Sequence, residues 1–308
     1  MPILQTYGSP GGGDLANPTR PEVCVTGDAT AVLRLAGRPV AEYAWRPDHL
    51  PIGLAPRPYL HPVRTLAGTT VTELMPASHP HHLGVSVAVA EVDGGNFWGG
   101  RTFLPGHGPA WLDNQGTQQH VRWVRRSDTR LCHTLRWQTI DGEPLLSERR
   151  DLSGRLLDTD AWALSFGFAL TNVTGRPLPI HSPAAHGRAG AGYGGFFWRA
   201  RSEAGECRIE AAAGTGAEAV HGRRSPWLSV SAGHSGWTLV FLGATAETRA
   251  DRWFLRTRDY LGIGSALAWA QPLLLAPGET LTRRIVTVVA DGALPPERAA
   301  AYAADLAS

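Results

Sequence analysis

Three imidazoles stand within four residues at His79-Pro80-His81-His82, and Asn96-Phe97-Trp98-Gly99-Gly100 follows closely. Imidazole moves protons near neutral pH or binds a metal ion. In an extended segment His79 and His81 share one face and His82 takes the other. Two imidazoles at that spacing can grip one metal. A single one, with a carboxylate elsewhere, can act as a general acid or base. The plain alternative is a polar loop after Pro76-Ala77-Ser78. Glu73 is the nearest preceding carboxylate, fit to be a base, a ligand to a metal held by His79 and His81, or a surface charge. Asn96 and Trp98 offer an amide and a flat face to a small polar ligand.

Two more segments carry similar side chains. In Arg57-Pro58-Tyr59-Leu60-His61-Pro62, guanidinium and phenol two residues apart suit sugar or carboxylate oxygens; a Pro-stiffened edge strand is the alternative. His181-Ser182-Pro183-Ala184-Ala185-His186-Gly187-Arg188 runs into five Gly within residues 187–195, then Phe196-Phe197-Trp198-Arg199. Such glycines let backbone approach a ligand, and Tyr193 and Trp198 offer faces for a sugar ring. His186 and Arg188 are costly to bury unpaired. The alternative is a glycine-rich hairpin with core aromatics. Of 11 Trp, the pocket candidates are Trp98, Trp198 and Trp253, each beside Gly or Arg. Arg256, Asp259 and Tyr260 form a further charged and phenolic group.

The elements that must position these groups read as strands. Short apolar or alternating runs recur at Ala31–Leu35, Val85–Ala90, His120–Val124, Leu131–Thr139, Trp162–Thr171, Leu228–Ser231, Trp237–Leu242 and Thr282–Val289. Their length and β-branched content fit strands. Turn signals fall at Asp141-Gly142, Ser153-Gly154, Thr174-Gly175, Pro277-Gly278 and Asp291-Gly292. One helix is expected, Pro295–Leu306. The fold class is all-β: a large antiparallel β-sandwich over residues 21–308 with a short C-terminal helix, after a flexible arm, residues 1–20.

Composition narrows the function. The 308 residues are 43% hydrophobic and 18% charged, an ordinary globular balance. No apolar run reaches the roughly 18–20 residues of a membrane helix, and residues 1–20 lack the apolar block of a signal peptide. Cys24, Cys132 and Cys207 are odd in number, without a CxxC pair, which fits reduced thiols and a cytoplasmic setting. A net charge of +2 gives a nucleic-acid partner little support. Arg125-Arg126, Arg149-Arg150 and Arg223-Arg224 read as solvated or ion-paired. All 29 basic residues are Arg. Schiff-base, pyridoxal-lysine and P-loop chemistry are therefore excluded. Gly-x-Ser-x-Gly, His-Glu-x-x-His and a helix-opening Gly-x-Gly-x-x-Gly are absent too.

Arg57-Pro-Tyr-Leu-His-Pro, His79-Pro-His-His-Leu-Gly, Asn96-Phe-Trp-Gly-Gly and Tyr193-Gly-Gly-Phe-Phe-Trp-Arg together resemble the bacterial family labelled PmoA, or methane oxygenase PmoA, over residues 30 to 292. A membrane oxygenase subunit would need spanning helices, so the label reads as a misnomer. Ala169-Leu-Thr-Asn-Val-Thr-Gly-Arg-Pro-Leu-Pro-Ile before His186, and Leu275-Ala-Pro-Gly-Glu279-Thr-Leu, are similar to aldose 1-epimerases of the galactose mutarotase-like superfamily. That resemblance implies a β-supersandwich that binds sugars. It makes His186 the general acid at the ring oxygen, assisted by His81 or His82, with Arg57 on a sugar hydroxyl. The epimerase base, a Glu shortly before the final strand, has no counterpart in Tyr260–Pro272; Asp259 is the nearest carboxylate.

The leading expectation is a carbohydrate-active enzyme of mutarotase-like type, with an epimerase, lyase or hydrolase outcome. His81, His82, His186 and Asp259 would be catalytic. Arg57, Tyr59, Asn96, Trp98, Arg188, Tyr193, Trp198 and Arg256 would bind substrate. No cofactor is required. A metal-dependent oxygenase or hydrolase using His79 and His81, with Glu73 or His186, and a divalent ion is the alternative, and a sugar-binding module without chemistry is another. The expected partner is a small carbohydrate, with no nucleic acid and no membrane; a homo-oligomer is compatible with the sequence.

Overall fold

Leu131, His133, Leu135 and Trp137 alternate with Arg130, Thr134 and Arg136, and in the structure the first set faces inward along one strand. This period of two recurs throughout. The computed structural model describes residues 29–201, 207–233 and 236–307. The expected arm, residues 1–20, and Cys24 lie outside the described residues.

In chain order, β1 (Thr30–Leu35), β2 (Arg38–Ala44), β3 (Tyr59–Val63), β4 (Val85–Val92) and β5 (Gly95–Phe97) precede a small ribbon, β6 (Thr102–Leu104) and β7 (Gly108–Ala110). A meander follows: β8 (Thr117–Arg126), β9 (Arg130–Gln138), β10 (Pro144–Leu156) and β11 (Ala161–Asn172). Next come β12 (Leu178–His181), β13 (Gly195–Arg199), β14 (Cys207–Ala211), β15 (Gly214–Thr215), α1 (Ala217–Val220), β16 (Trp227–Ala232) and β17 (Trp237–Gly243). The chain ends with α2 (Ala246–Ala250), β18 (Arg252–Arg256), β19 (Gly262–Ala266), β20 (Leu273–Leu275), β21 (Thr280–Asp291) and α3 (Pro296–Leu306).

Two antiparallel sheets result. One runs β15-β14-β16-β17-β21-β11-β10-β9-β8; the other runs β1-β2-β3-β4-β13-β19-β18, with β5 and β12 on β4, and β20 on β12. A single apolar cluster joins Trp137, Trp162, Phe166 and Trp237 of the first sheet to Leu60, Val87, Phe196 and Trp198 of the second. Burying each such side chain contributes roughly 1.5–3 kcal/mol or more. The expected strands and the terminal helix are present. Ser153-Gly154 is not a turn: both lie inside β10, where a Cβ on Gly154 would meet Leu35 and Trp162 at 3.5 and 3.6 Å. α1 and α2 were not expected; each is a single short turn between strands. No described helix is long and apolar enough to cross a membrane. Cys132 and Cys207 are free thiols.

A polar network crosses the core beneath the second sheet. Arg149 is exposed, whereas Arg150 is fully buried and ion-paired with Glu148, so the two members of this Arg pair divide between the solvated and the ion-paired state. Arg150 donates to both carboxylate oxygens of Glu148, at 2.6 and 2.8 Å, to the Pro58 carbonyl at 3.1 Å and to Gln118 Oε1 at 3.0 Å. Trp137 Nε1 also donates to Glu148, at 2.7 Å. Gln118 in turn donates to the Val87 carbonyl at 2.8 Å. Pro58 and Val87 belong to the opposite sheet region, so the pair ties the meander to the backbone that carries the cleft described next.

Candidate functional site

Pro76–His82 folds as consecutive turns, not as an extended strand. The amide of His79 donates to the Pro76 carbonyl at 2.9 Å, that of His82 to His79 at 3.0 Å, and that of Met75 to His82 at 2.9 Å. The expected sharing of one face by His79 and His81 is therefore replaced. His79 stacks on His82 with ring centroids 4.7 Å apart and planes 18° apart, and His81 meets His82 edge-on at 4.8 Å. These rings form one wall of a cavity of about 460 Å³.

The remaining walls come from distant segments. Trp98, Gly99, Gly100 and Arg101 follow β5; Pro109 and Trp111 lie at the end of the small ribbon; Arg188 and Tyr193 precede β13; Arg256 ends β18, and Asp259 and Tyr260 follow it. Trp98 packs on Tyr193 at 4.5 Å and on Phe197 at 4.8 Å. Tyr260 packs on His79 at 4.7 Å and His82 at 4.8 Å, with the Arg199 guanidinium 4.8 Å from the Tyr260 ring centroid. Burial pushes the phenols of Tyr193 and Tyr260 up, an effect that the charges of Arg188 and Arg256 respectively oppose.

The imidazoles are held neutral. Burial, with the charge of Arg57 and the neighbouring His79, lowers His81 to about 4. Burial and the two adjacent histidines lower His82 further, and its Nδ1 is buried without a partner. His79 is lowered by burial and Arg199, an effect that the nearby Asp259 carboxylate opposes. Three guanidinium groups and one carboxylate thus line a cleft whose histidines carry no charge at neutral pH. Such a cavity favours an anionic, oxygen-rich ligand.

Two expected ligand contacts prove to be scaffold. Arg57 is fully buried and donates to Ser86 Oγ and to the carbonyls of Leu54, Ala55 and Trp98 at 3.1 Å, and to that of His81 at 2.8 Å. Burial and the charge of Arg150 lower it to about 9. Asn96 accepts from the amides of Trp98 and Gly99 at 2.9 Å and donates to Thr102 Oγ1 at 3.0 Å. Both residues shape the backbone that presents His81 and Trp98. Gly100 has φ +71°, and a Cβ there would lie 2.9 Å from His81 Nδ1. Only glycine lets the imidazole lie against this turn.

Other expected residues lie elsewhere. Tyr59 is buried against Ala44, Leu50 and Leu83. Trp198 is fully buried in the main core, and Trp253 is anchored there by its Nε1 donating to the Ser225 carbonyl at 2.9 Å. His186 does not line the cavity; its Nε2 lies 2.8 Å from Glu91 Oε2. Glu73 is 2.6 Å from Arg199 rather than beside His79 and His81. Among the described residues, the group close enough to share a metal ion is Glu91, His181 and His186, not His79, His81 and Glu73. The cleft also contains Arg101 and Trp111, which sequence reasoning missed. Their only local sign is a Gly- and Pro-rich stretch between strands.

The chain path is similar to that of several solved structures. A protein of Escherichia coli K12 described as a "putative aldose 1-epimerase" is 11% identical, with a TM-score of 0.46, covering 85% of this chain and 99% of that one. The GalM/aldose epimerase homologue from C. elegans is 11% identical, with a TM-score of 0.41, covering 86% and 100%. Heparan sulfate lyase HepC from Pedobacter heparinus is 10% identical, with a TM-score of 0.28, covering 58% and 22%. No curated protein sequence matches the chain. The family model that does match names no oxygenase in its description. It is the family of unknown function DUF6807, it spans residues 30–304, and the chain belongs to that family.

Proposed function

We propose that the cleft binds a small acidic sugar or sugar derivative and that its histidines exchange a proton with it. The observation that carries this reading is the composition of one cavity: neutral imidazoles, three guanidinium groups and aromatic faces converge there. Arg101, Arg188 and Arg256 would hold a carboxylate and neighbouring hydroxyls, while Trp98 and Trp111 would cover a ring face. A bound anion raises the pKa of an adjacent imidazole. His81 thereby becomes a usable base only when substrate is present. Asp259, close enough to His79 to raise its pKa, supplies the carboxylate of a second acid–base pair. Epimerase and lyase outcomes both begin with such a proton transfer.

Titration of the full chain with D-glucuronate and D-galacturonate, against glucose and galactose, tests this. Hexuronates are expected to bind at least 10-fold more tightly than neutral sugars. Failure of millimolar hexuronates to bind, by calorimetry and by ligand NMR, sinks the proposal. The depressed basicity of His81 favours a second reading, a module that holds its sugar without chemistry. Recovery of bound hexuronate unchanged, without solvent deuterium, after long incubation in D2O would select it.

A further inference from the structure

Outside the cleft, three potential ligand atoms converge where β4, the end of β12 and the following turn meet. Glu91 projects from β4, His181 closes β12, and His186 sits in the turn Ser182–Ala191. His186 Nε2 is 2.8 Å from Glu91 Oε2, and His181 Nδ1 is 3.2 Å from Glu91 Oε1. All three ligand atoms lie within 4.8 Å of one another. The edge of a tetrahedral zinc site with N and O ligands is about 3.3 Å. Metal binding would draw the three side chains closer together.

The arrangement is poor as a hydrogen-bond network. His181 Nδ1 is near Glu91 by distance, yet its alignment is not that of a hydrogen bond, and the atom is buried without a partner. The side chains remain 19–24% exposed, so a fourth position is open to water. The ring centroids of His181 and His186 are 4.7 Å apart at 30°, with both rings presented to the same carboxylate.

We propose that Glu91, His181 and His186 form a zinc site. Two imidazoles and a carboxylate are a donor set that suits zinc, with water as the fourth ligand. Binding needs a neutral imidazole nitrogen free of its proton. The proton that His186 Nε2 presents to Glu91 moves to Nδ1 as the metal takes its place. His181 coordinates through Nδ1 and carries its proton on Nε2. The ion would pin the Ser182–Ala191 turn to β4. Arg188, two residues beyond His186, enters the cleft from that turn. The zinc site stands on its own geometry, independent of what the cleft binds.

The test uses untagged full-length protein stripped with EDTA and titrated with Zn2+ in a calorimeter. One equivalent is expected to bind, with a thermal midpoint raised by roughly 5–10 °C at 100-fold excess over Kd. Glu91→Gln, which keeps size and hydrogen bonding, and His186→Ala are each expected to weaken binding at least 100-fold. The pair His79→Ala with His81→Ala should leave it unchanged. X-ray absorption at the zinc edge should show nitrogen and oxygen at about 2.0–2.1 Å with imidazole scattering. Absence of saturable binding, retention in folded Glu91→Gln protein, loss with the His79/His81 pair, or a sulfur ligand shell would each overturn the assignment.

Discussion

The Arg57 guanidinium and the His81 carbonyl, 2.8 Å apart, join a fully buried cation to the segment that presents the cleft imidazoles. The same guanidinium reaches the Trp98 carbonyl at 3.1 Å, so one side chain sets the spacing of two walls. Arg57→Lys keeps a charge but loses the fork that satisfies several carbonyls. The expected cost is about 2–4 kcal/mol of stability, because buried acceptors lose their donors. Urea unfolding measures it, and hexuronate affinity should fall in parallel. Wild-type stability in this variant would refute the clamp.

Gly100→Ala places a Cβ against the His81 ring in a backbone conformation that L residues avoid. A destabilisation of about 1–3 kcal/mol is expected. Ligand affinity should drop by a larger factor than stability predicts, since His81 must turn away. Calorimetry on folded protein separates the two effects.

Trp111 is 64% exposed at the mouth of the cleft, a position that packing does not require. Trp111→Ala should leave the thermal midpoint unchanged within about 2 °C and weaken ligand binding about 10-fold, the range of one lost aromatic contact. A variant that unfolds early would instead assign Trp111 to the fold.

Acid should destabilise the protein between about pH 6.5 and pH 4. Burial lowers His61 and His81 to about 4, whereas both titrate near 6.5 in an unfolded chain. Between those values the unfolded state binds more protons, so stability falls as pH drops and recovers as pH rises. Each group contributes up to about 3 kcal/mol. Urea midpoints at pH 7, 6, 5 and 4 check the slope, and it should flatten in His61→Gln and His81→Gln proteins.

Glu148→Gln leaves the fully buried Arg150 without its carboxylate. A loss of roughly 3–5 kcal/mol is expected, whereas replacing both partners, Glu148→Leu with Arg150→Met, should cost less than either single change. Chemical denaturation of the three proteins decides the order.

The sheets were legible because half-buried strands alternate, as β9 does, and because turn glycines separate them. Strands buried on both faces carry no such alternation. All five residues of β13 are buried, and this is why Trp198, beside Arg199 in a glycine-rich segment, passed for a ligand contact. The His79–His82 cluster and Tyr193 were readable as side-chain chemistry, and both line the cleft. Their geometry was not readable, since consecutive turns put His79 on His82 instead of beside His81. Arg57 and Asn96 were found by type, but their role depends on carbonyls and amides that only the fold brings near. Trp111 left no signal because a loop residue acquires its neighbours from distant segments. The pairing of Glu91 with His186, 95 residues apart, belongs to the same class.

The sheet order also constrains when the cleft can come into being. β11 is completed by β21, and β4 by β13, so each large sheet closes through partners more than 100 residues away. Pairings of that span make folding slow. A growing chain therefore carries its histidine segment long before the opposing Arg256 and Tyr260 exist. Binding competence should arise late in synthesis and all at once, and no stretch ending before Tyr260 would inherit it.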